Sequence, residues 1–164
     1  MKNSIKTLLF FTVVISLVAA SCTSDDSELV KEGGPFKINE LAGNWEATSA
    51  IFNSDNDNES VDIIADGGSL SLTVQSTGSF TMTINPVDRQ AYTESGEMFW
   101  ELYEGEYYFA IAWDSYPNDW SSYGATLNNG SDFFMNGGPS TGEYDFNNDG
   151  DAQSAGIGFA FVKL

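Results

Sequence analysis

The stretch that decides the fold class reads LSLTVQSTGSFTMTI and covers residues 70–84. Apolar side chains alternate with hydroxyl side chains from Leu70 to Val74 and again from Phe80 to Ile84, which is the period-two pattern of a strand with one buried face. The segment Ser76-Thr77-Gly78 between the two runs has the length and the glycine of a hairpin loop. We therefore predict an antiparallel β-hairpin over these residues.

Similar runs recur on both sides of this hairpin, separated by turns that contain Gly, Pro, Asn or Asp. The remaining strands are predicted at residues 45–51, 98–103, 107–113, 123–127, 131–135, 142–146 and 157–164, the last two as a final hairpin. In the first of them, the alternation places Trp45, Ala47, Ser49 and Ile51 on one face. No long helical period occurs outside the N-terminus. The predicted fold class is all-β, an antiparallel up-and-down β-barrel of about eight strands.

The N-terminus has the composition of a secretion signal, which we assign to residues 1–21. Lys2 and Lys6 precede an uncharged, mostly apolar run from Leu8 to Ala20, which is shorter than the ~20 residues that a membrane-spanning helix needs. Residues 22–35 are predicted to form a polar, acidic tether that ends in a flexible break at Gly33-Gly34-Pro35. The barrel domain is predicted to cover residues 36–164.

The charge of the chain limits its partners. It has 24 acidic and 6 basic residues, a formal net charge of −18. Cleavage after residue 21 removes two bases and no acid, so the mature chain has 4 bases against 24 acids, or −20. Such a charge repels nucleic acid and anionic membrane surfaces. Because the chain has no histidine and a single cysteine, and no pair of carboxylates is set off by a motif, we predict that it is not an enzyme.

The single cysteine, Cys22, directly follows Ala19-Ala20-Ser21. This arrangement resembles the lipobox of bacterial lipoproteins, which implies that Cys22 is lipidated and that the lipid anchor is the only contact with the membrane. The acidic pair Asp25-Asp26 resembles the surface-export signal of Bacteroidetes lipoproteins, with an ordinary solvated linker as the alternative. The resemblance implies an outer-membrane, lipid-anchored protein exposed on the cell surface.

The segment Gly43-Asn44-Trp45 resembles the Gly-x-Trp motif of lipocalins and of bacterial lipocalin-like lipoproteins. The run from Tyr144 to Asp151, followed by an apolar last strand, is similar to the ending of those bacterial proteins. The resemblance implies that Trp45 packs across the closed end of the barrel. Lipocalins usually stack a basic residue of a late strand on this ring, and the sequence does not identify one; Arg89 and Lys163 are the only bases beyond the lead-in.

The resemblance also implies a barrel interior that binds a small hydrophobic or amphipathic molecule. The aromatic residues that we assign to this binding site are Trp45, Trp100, Phe109 and Trp113. The alternative is a barrel filled by its own side chains, in a carbohydrate- or protein-binding surface module. In that case the binding residues would be the aromatic residues of a turn-rich loop, Tyr116, Trp120 and Tyr123.

One segment has the spacing of a metal site. Asp145, Asn147 and Asp149 supply oxygen atoms at alternate positions and Gly150 follows, as in a calcium-binding loop. An EF-hand would need Glu at the position that Gly156 occupies, and Asn-Asp-Gly is also a favourable turn sequence. Calcium is therefore a possible ligand, a plain turn is the alternative, and no cofactor is predicted to be required.

Overall fold

The computed structural model describes residues 27–87 and 89–164. The predicted signal segment and Cys22 lie outside these residues. The strands are β1 (Glu28–Val30), β2 (Gly43–Ser54), β3 (Ser60–Asp62), β4 (Ser69–Val74), β5 (Ser79–Asn85), β6 (Tyr92–Tyr103), β7 (Glu106–Trp113), β8 (Ser121–Asn128), β9 (Asp132–Asn136), β10 (Gly142–Tyr144) and β11 (Gln153–Lys163), and one 3-10 helix spans Ile38–Leu41. None of the described residues belongs to a helix long and apolar enough to cross a membrane.

Eight of the strands form a closed antiparallel barrel. The strands β2, β4, β5, β6, β7, β8, β9 and β11 pair in chain order, and β11 pairs with β2 to close the sheet. The predicted all-β, eight-stranded, up-and-down barrel is confirmed. The predicted final hairpin differs, because β10 pairs only with residues 153–155 of β11, and the main partners of β11 are β9 and β2.

The hairpin formed by β4 and β5 shows how alternation builds the core. The apolar side chains of both strands are at most 3% exposed, and the hydroxyl side chains between them face solvent. Leu72 lies opposite Met82, and Val74 lies opposite Phe80, so apolar partners meet on the inner face. This hairpin has the structure that its alternating sequence predicts.

A β-bulge in β2 changes which residues face the interior. Ala47 pairs with Phe161 but Ser49 pairs with the adjacent Ala160, so Thr48 has no paired residue on β11, and only its hydroxyl donates to the carbonyl oxygen of Ala160. Because one extra residue reverses the faces of a strand, Ala50 and Phe52 become the buried residues beyond the bulge. The prediction that Ser49 and Ile51 share the face of Trp45 is therefore wrong.

Trp45 closes one end of the barrel. Its side chain is fully buried, and its indole Nε1 donates a hydrogen bond to the carbonyl oxygen of Leu41 in the 3-10 helix at 2.7 Å. The Nζ atom of Lys163 lies 5.0 Å from the centre of the Trp45 ring. Gly43 has a φ of +138°, and a Cβ atom there would lie 2.8 Å from Cε of Lys163. Lys163 is thus the basic residue of a late strand that the sequence did not identify.

The segment that precedes the 3-10 helix is ordered against the barrel. Strand β1 pairs with residues 100–102 at the end of β6, past Glu97, which pairs with the first residue of β5. Trp100 of β6 donates from its indole Nε1 to the carbonyl oxygen of Phe36 at 2.9 Å. Gly34 lies so close to this indole that a Cβ atom there would be 2.3 Å from it. Residues from β1 onward therefore pack against the barrel, ahead of the predicted boundary at residue 36, and Gly34 allows a close contact.

Candidate functional site

A cavity of about 300 Å³ opens at the end of the barrel opposite Trp45. The residues that line it lie where β2, β5 and β7 end, where β6, β8 and β11 begin, and in β10 and the loops around that end. One wall is apolar and consists of Phe52, Met82, Ile84, Ile157 and Phe159. The volume is at the lower end of the range for pockets that bind small molecules. The barrel is therefore packed at one end and open at the other.

Glu94 places a carboxylate inside this cavity. It pairs with Met82 across β5 and β6, and it shares the inner face of β6 with Tyr92 and Met98. Burial, together with the negative charge of Glu143, raises the pKa of the Glu94 carboxyl group. A charged group in this position is costly unless a partner compensates for it.

Tyr116 and Glu143 join two elements at the mouth of the cavity. The hydroxyl group of Tyr116, from the loop between β7 and β8, donates to Oε1 of Glu143 in β10 at 2.7 Å. This hydrogen bond and the charge of Glu143 raise the pKa of the Tyr116 hydroxyl, so the phenol stays neutral. The side chain of Tyr116 is 50% exposed. The pair thus lies at the entrance of the cavity.

Trp113 is held in the cavity wall by a chain of hydrogen bonds. Its indole Nε1 donates to the hydroxyl oxygen of Tyr123 at 3.0 Å, and that hydroxyl donates to the carbonyl oxygen of Thr141 at 2.6 Å. The ring also packs edge-on against Phe80, with centroids 5.3 Å apart. Burial raises the pKa of the Tyr123 hydroxyl, which therefore remains a donor.

Asp55 fixes the opposite side of the mouth. Its Oδ2 atom accepts hydrogen bonds from the amide of Ser140 at 2.7 Å and from the hydroxyl of Ser154 at 2.6 Å. These hydrogen bonds, that of Ser154 above all, lower the pKa of the Asp55 carboxyl group. The loop before β10 is thereby connected to both β2 and β11. The entrance has a defined shape because three elements share these contacts.

Of the four aromatic residues assigned to ligand binding, the structure brings only Trp113 to the cavity. Trp45 closes the other end, as described above. Trp100 and Phe109 pack with each other and with Phe36 in the closed half; the Trp100 ring lies 5.4 Å from Phe109 and 5.0 Å from Phe36. Alternation indicates which face a side chain occupies but not its depth along the barrel, so the sequence could not separate Trp113 from the other three.

The three aromatic residues of the alternative site have different surroundings. Tyr116 lies at the cavity mouth, and Tyr123 is buried in the wall. Trp120 contributes to the cavity lining, but its ring packs edge-on against Phe99, with centroids 6.1 Å apart. Phe99 lies between Met98 and Trp100, two residues of the inner face, and so points outward.

Among the cavity residues that sequence reasoning missed are Tyr92 and Glu94 of β6. Both precede the predicted start of the strand at residue 98, whereas β6 begins at Tyr92. A signal was present, because continuing the alternation backward from Met98 leads through Gly96 to Glu94 and Tyr92. Phe52 was missed for another reason, since the bulge at Thr48 moves it to the inner face.

The predicted calcium ligands form a tight turn. The amides of Asp149 and Gly150 donate to the two carboxylate oxygens of Asp145 at 3.2 and 2.9 Å, and the side-chain amide of Asn147 donates to Asp149 at 2.9 Å. Over residues 27–87 and 89–164, no cluster of three or more acidic, His or Cys side chains is arranged to hold a metal ion. Calcium binding stays a prediction.

Comparison with known proteins does not assign a function to the cavity. No protein-family model, no curated protein and no solved structure matches this chain. The resemblance to lipocalin-like lipoproteins consequently rests on the sequence alone: the Gly43-Asn44-Trp45 motif together with the order of the hairpins, the length of the chain and the lipoprotein-like leader.

Proposed function

We propose that this protein is a lipid-anchored binding protein of the outer membrane, exposed on the cell surface, which holds a small hydrophobic or amphipathic ligand in the cavity. The observation that carries the proposal is an open cavity, about 300 Å³ in volume, in a barrel whose other end is packed. The function is binding without chemical conversion. The lipoprotein-like position of Cys22 supports the proposed location.

The two sides of the cavity suit an amphipathic molecule. The apolar wall around Phe52 and Phe159 can cover an alkyl or ring system, and the side around Glu94 and Glu143 can accept hydrogen bonds. Each methylene group removed from water contributes about 0.8 kcal/mol. Shortening an alkyl probe by two carbons should therefore weaken binding by roughly tenfold, as long as those carbons lie in the cavity.

The test uses 1-octanol as a probe and tryptophan fluorescence as the readout. Ser121 lines the cavity, whereas the neighbouring Ser122 is exposed on the other face of β8. We expect Ser121→Phe to weaken 1-octanol binding by at least roughly tenfold, because the ring occupies the cavity, and Ser122→Phe to leave it unchanged. Equal binding by both variants, with unchanged melting temperatures, would place the ligand elsewhere. If neither 1-octanol nor an octyl probe with a charged head group binds the wild type, the proposal is wrong.

A carbohydrate ligand is the second candidate, favoured by the exposed Tyr116 ring beside the Glu143 carboxylate. Aromatic rings stack on sugar faces, and carboxylates accept hydrogen bonds from sugar hydroxyls. Titration with neutral oligosaccharides separates the two candidates. Binding of a sugar that Tyr116→Ala abolishes, without any binding of 1-octanol, would favour the carbohydrate.

The lipid anchor is tested separately. Mass spectrometry of the mature protein should show acyl chains on the wild type and none on Cys22→Ser. An identical mass increment in both proteins would contradict lipidation at this residue. The result does not depend on the ligand test.

A further inference from the structure

We infer that the cavity selects amphipathic cations, that is, molecules with an ammonium or similar positively charged group and an apolar part. This inference rests on the proposed function, since it requires the cavity to be the ligand site. It goes further by naming the chemical class of the ligand. The reason is an excess of negative charge in the cavity that no base among the described residues balances.

Three acidic residues line the cavity: Glu94, Asp119 and Glu143. Glu143 accepts a hydrogen bond from the neutral Tyr116 hydroxyl, which leaves its charge in place. Among the described residues that line the cavity, none is Lys or Arg. The formal charge of the lining is therefore −3 when all three groups are ionised.

The bases of the barrel domain and its lead-in are engaged elsewhere. Lys31 is paired with Glu97, Lys37 with Glu32, and Lys163 with the carbonyl oxygen of Glu40 over the Trp45 ring; these three lie away from the cavity. Arg89 is the base nearest to the open end, where it donates to the carbonyl oxygen of Asp145 and lies 5.1 Å from the centre of the Tyr144 ring. Within residues 27–87 and 89–164, no base is in position to neutralise Glu94.

Glu94 is the acidic residue of the cavity whose negative charge most needs a compensating cation. Tyr92 pairs with Ile84 near the mouth, and Glu94 pairs with Met82, the next pair of inward-facing residues towards the closed end. Glu94 therefore lies deeper in the barrel than Tyr92. Apolar side chains therefore flank it, and the influences on its pKa are burial and Glu143, with no hydrogen-bond donor from the described residues. A partly buried carboxylate beside an apolar side chain such as Met82 is stabilised by a cation that enters the cavity.

The rest of the cavity fits the remainder of such a ligand. Rings of Tyr92, Trp113 and Tyr116 line the same space, and aromatic rings attract ammonium groups. The apolar wall, formed by residues of β2, β5 and β11, can cover the uncharged part of the ligand. The strong negative charge of the whole chain would also raise the local concentration of cations.

The experiment compares three octyl probes that differ in the charge of the head group. Octylamine is cationic at pH 7, 1-octanol is neutral and octanoate is anionic. Titration calorimetry at low ionic strength should show that octylamine binds at least roughly tenfold more tightly than 1-octanol and that octanoate binds most weakly. The reason is that a charge-assisted hydrogen bond contributes about one to two powers of ten in affinity.

Two matched variants assign the preference to the cavity. Glu94→Gln should weaken octylamine binding roughly tenfold more than it weakens 1-octanol binding, so that the preference for the cationic probe is largely lost. Glu46→Gln makes the same change of charge on an exposed residue of β2 near the closed end, and it should change neither affinity. A melting temperature equal to that of the wild type shows that each variant is folded.

The possible failures are distinguishable. If 1-octanol binds as tightly as octylamine, or if Glu94→Gln retains the full preference, the cavity is a ligand site but not a cation site, and only this inference is overturned. If Glu46→Gln reduces octylamine binding as much as Glu94→Gln does, the preference comes from net charge, which also overturns it. If none of the three probes binds, the proposed function fails as well.

Discussion

Replacing Trp100 by Phe tests the division of the barrel into a packed half and an open half. Trp100 is 2% exposed, and its indole donates the hydrogen bond that holds the carbonyl oxygen of Phe36. Losing this donor leaves a buried carbonyl oxygen without a partner, which costs about 1–3 kcal/mol. The smaller ring leaves a gap beside Phe109 that costs about 1 kcal/mol more. We therefore expect Trp100→Phe to lower the free energy of unfolding by roughly 2–4 kcal/mol.

The assay combines a thermal melt with a 1-octanol titration. For a domain of this size, such a loss lowers the melting temperature by roughly 4–16 °C. Because Trp100 does not line the cavity, the affinity for 1-octanol should stay within about twofold of the wild type. Trp113→Phe is the counterpart in the open half. It should destabilise the protein less, since Tyr123 retains Thr141 as a partner, and it should weaken 1-octanol binding several-fold.

Two results would refute this reasoning. One is a melting temperature for Trp100→Phe within about 2 °C of the wild type, which would mean that the indole is not a structural part of the closed half. The other is a loss of 1-octanol binding by Trp100→Phe without a change in stability, which would place Trp100 in the ligand site.

Three further predictions concern the closed end, the contact between β3 and β2 made by Asp62, and the calcium motif. Lys163→Met keeps the side-chain stem over Trp45 but removes the charge, and should lower the free energy of unfolding in urea by about 0.5–2 kcal/mol; no change would mean that the ammonium group does not stabilise the ring. Burial raises the pKa of Asp62, but hydrogen bonds from groups that include the Ala50 amide outweigh it and hold the pKa below its ordinary value. The ionised Asp62 carboxylate therefore stabilises the fold above its unfolded-state pKa, and this stabilisation is lost as the pH falls through its folded-state pKa. The difference in melting temperature between the wild type and Asp62→Asn should shrink on acidification. A difference that does not change with pH would contradict this prediction. If the Asp145 loop binds calcium, melts with calcium and with chelator should differ for the wild type and coincide for Asp145→Ala, whereas identical wild-type curves would remove the claim.

The fold was predictable wherever the pattern was local. The alternation from Leu70 to Ile84 defines a hairpin by itself, because each strand buries one face and the turn fixes the register. The bulge at Thr48 was not predictable, because a single unpaired residue leaves no mark on composition or on spacing. Its effect was large, since it moved Phe52 to the inner face, where it lines the cavity.

The site was harder to predict than the fold because depth along a barrel depends on distant contacts. Trp100 and Trp113 lie on neighbouring strands and both face the interior. They differ in their surroundings because the 3-10 helix and the Phe36 side chain fill the end of the barrel where Trp100 lies. Both come from a segment that is far from Trp100 and Trp113 in the sequence. Glu94 was within reach of the pattern, but a lone glutamate before an aromatic strand gives no reason to continue the alternation backward.

The direction in which β1 runs sets where the chain enters the barrel. Glu28 pairs with Leu102 and Val30 pairs with Trp100, while β6 runs from the cavity mouth at Tyr92 towards the closed end. The chain therefore arrives at the closed end. Six peptide steps separate Cys22 from Glu28, and they span at most about 20 Å. A lipid on Cys22 would hold the barrel close to the bilayer with its entrance turned away, so that ligands would reach it from the surrounding medium and not from within the membrane.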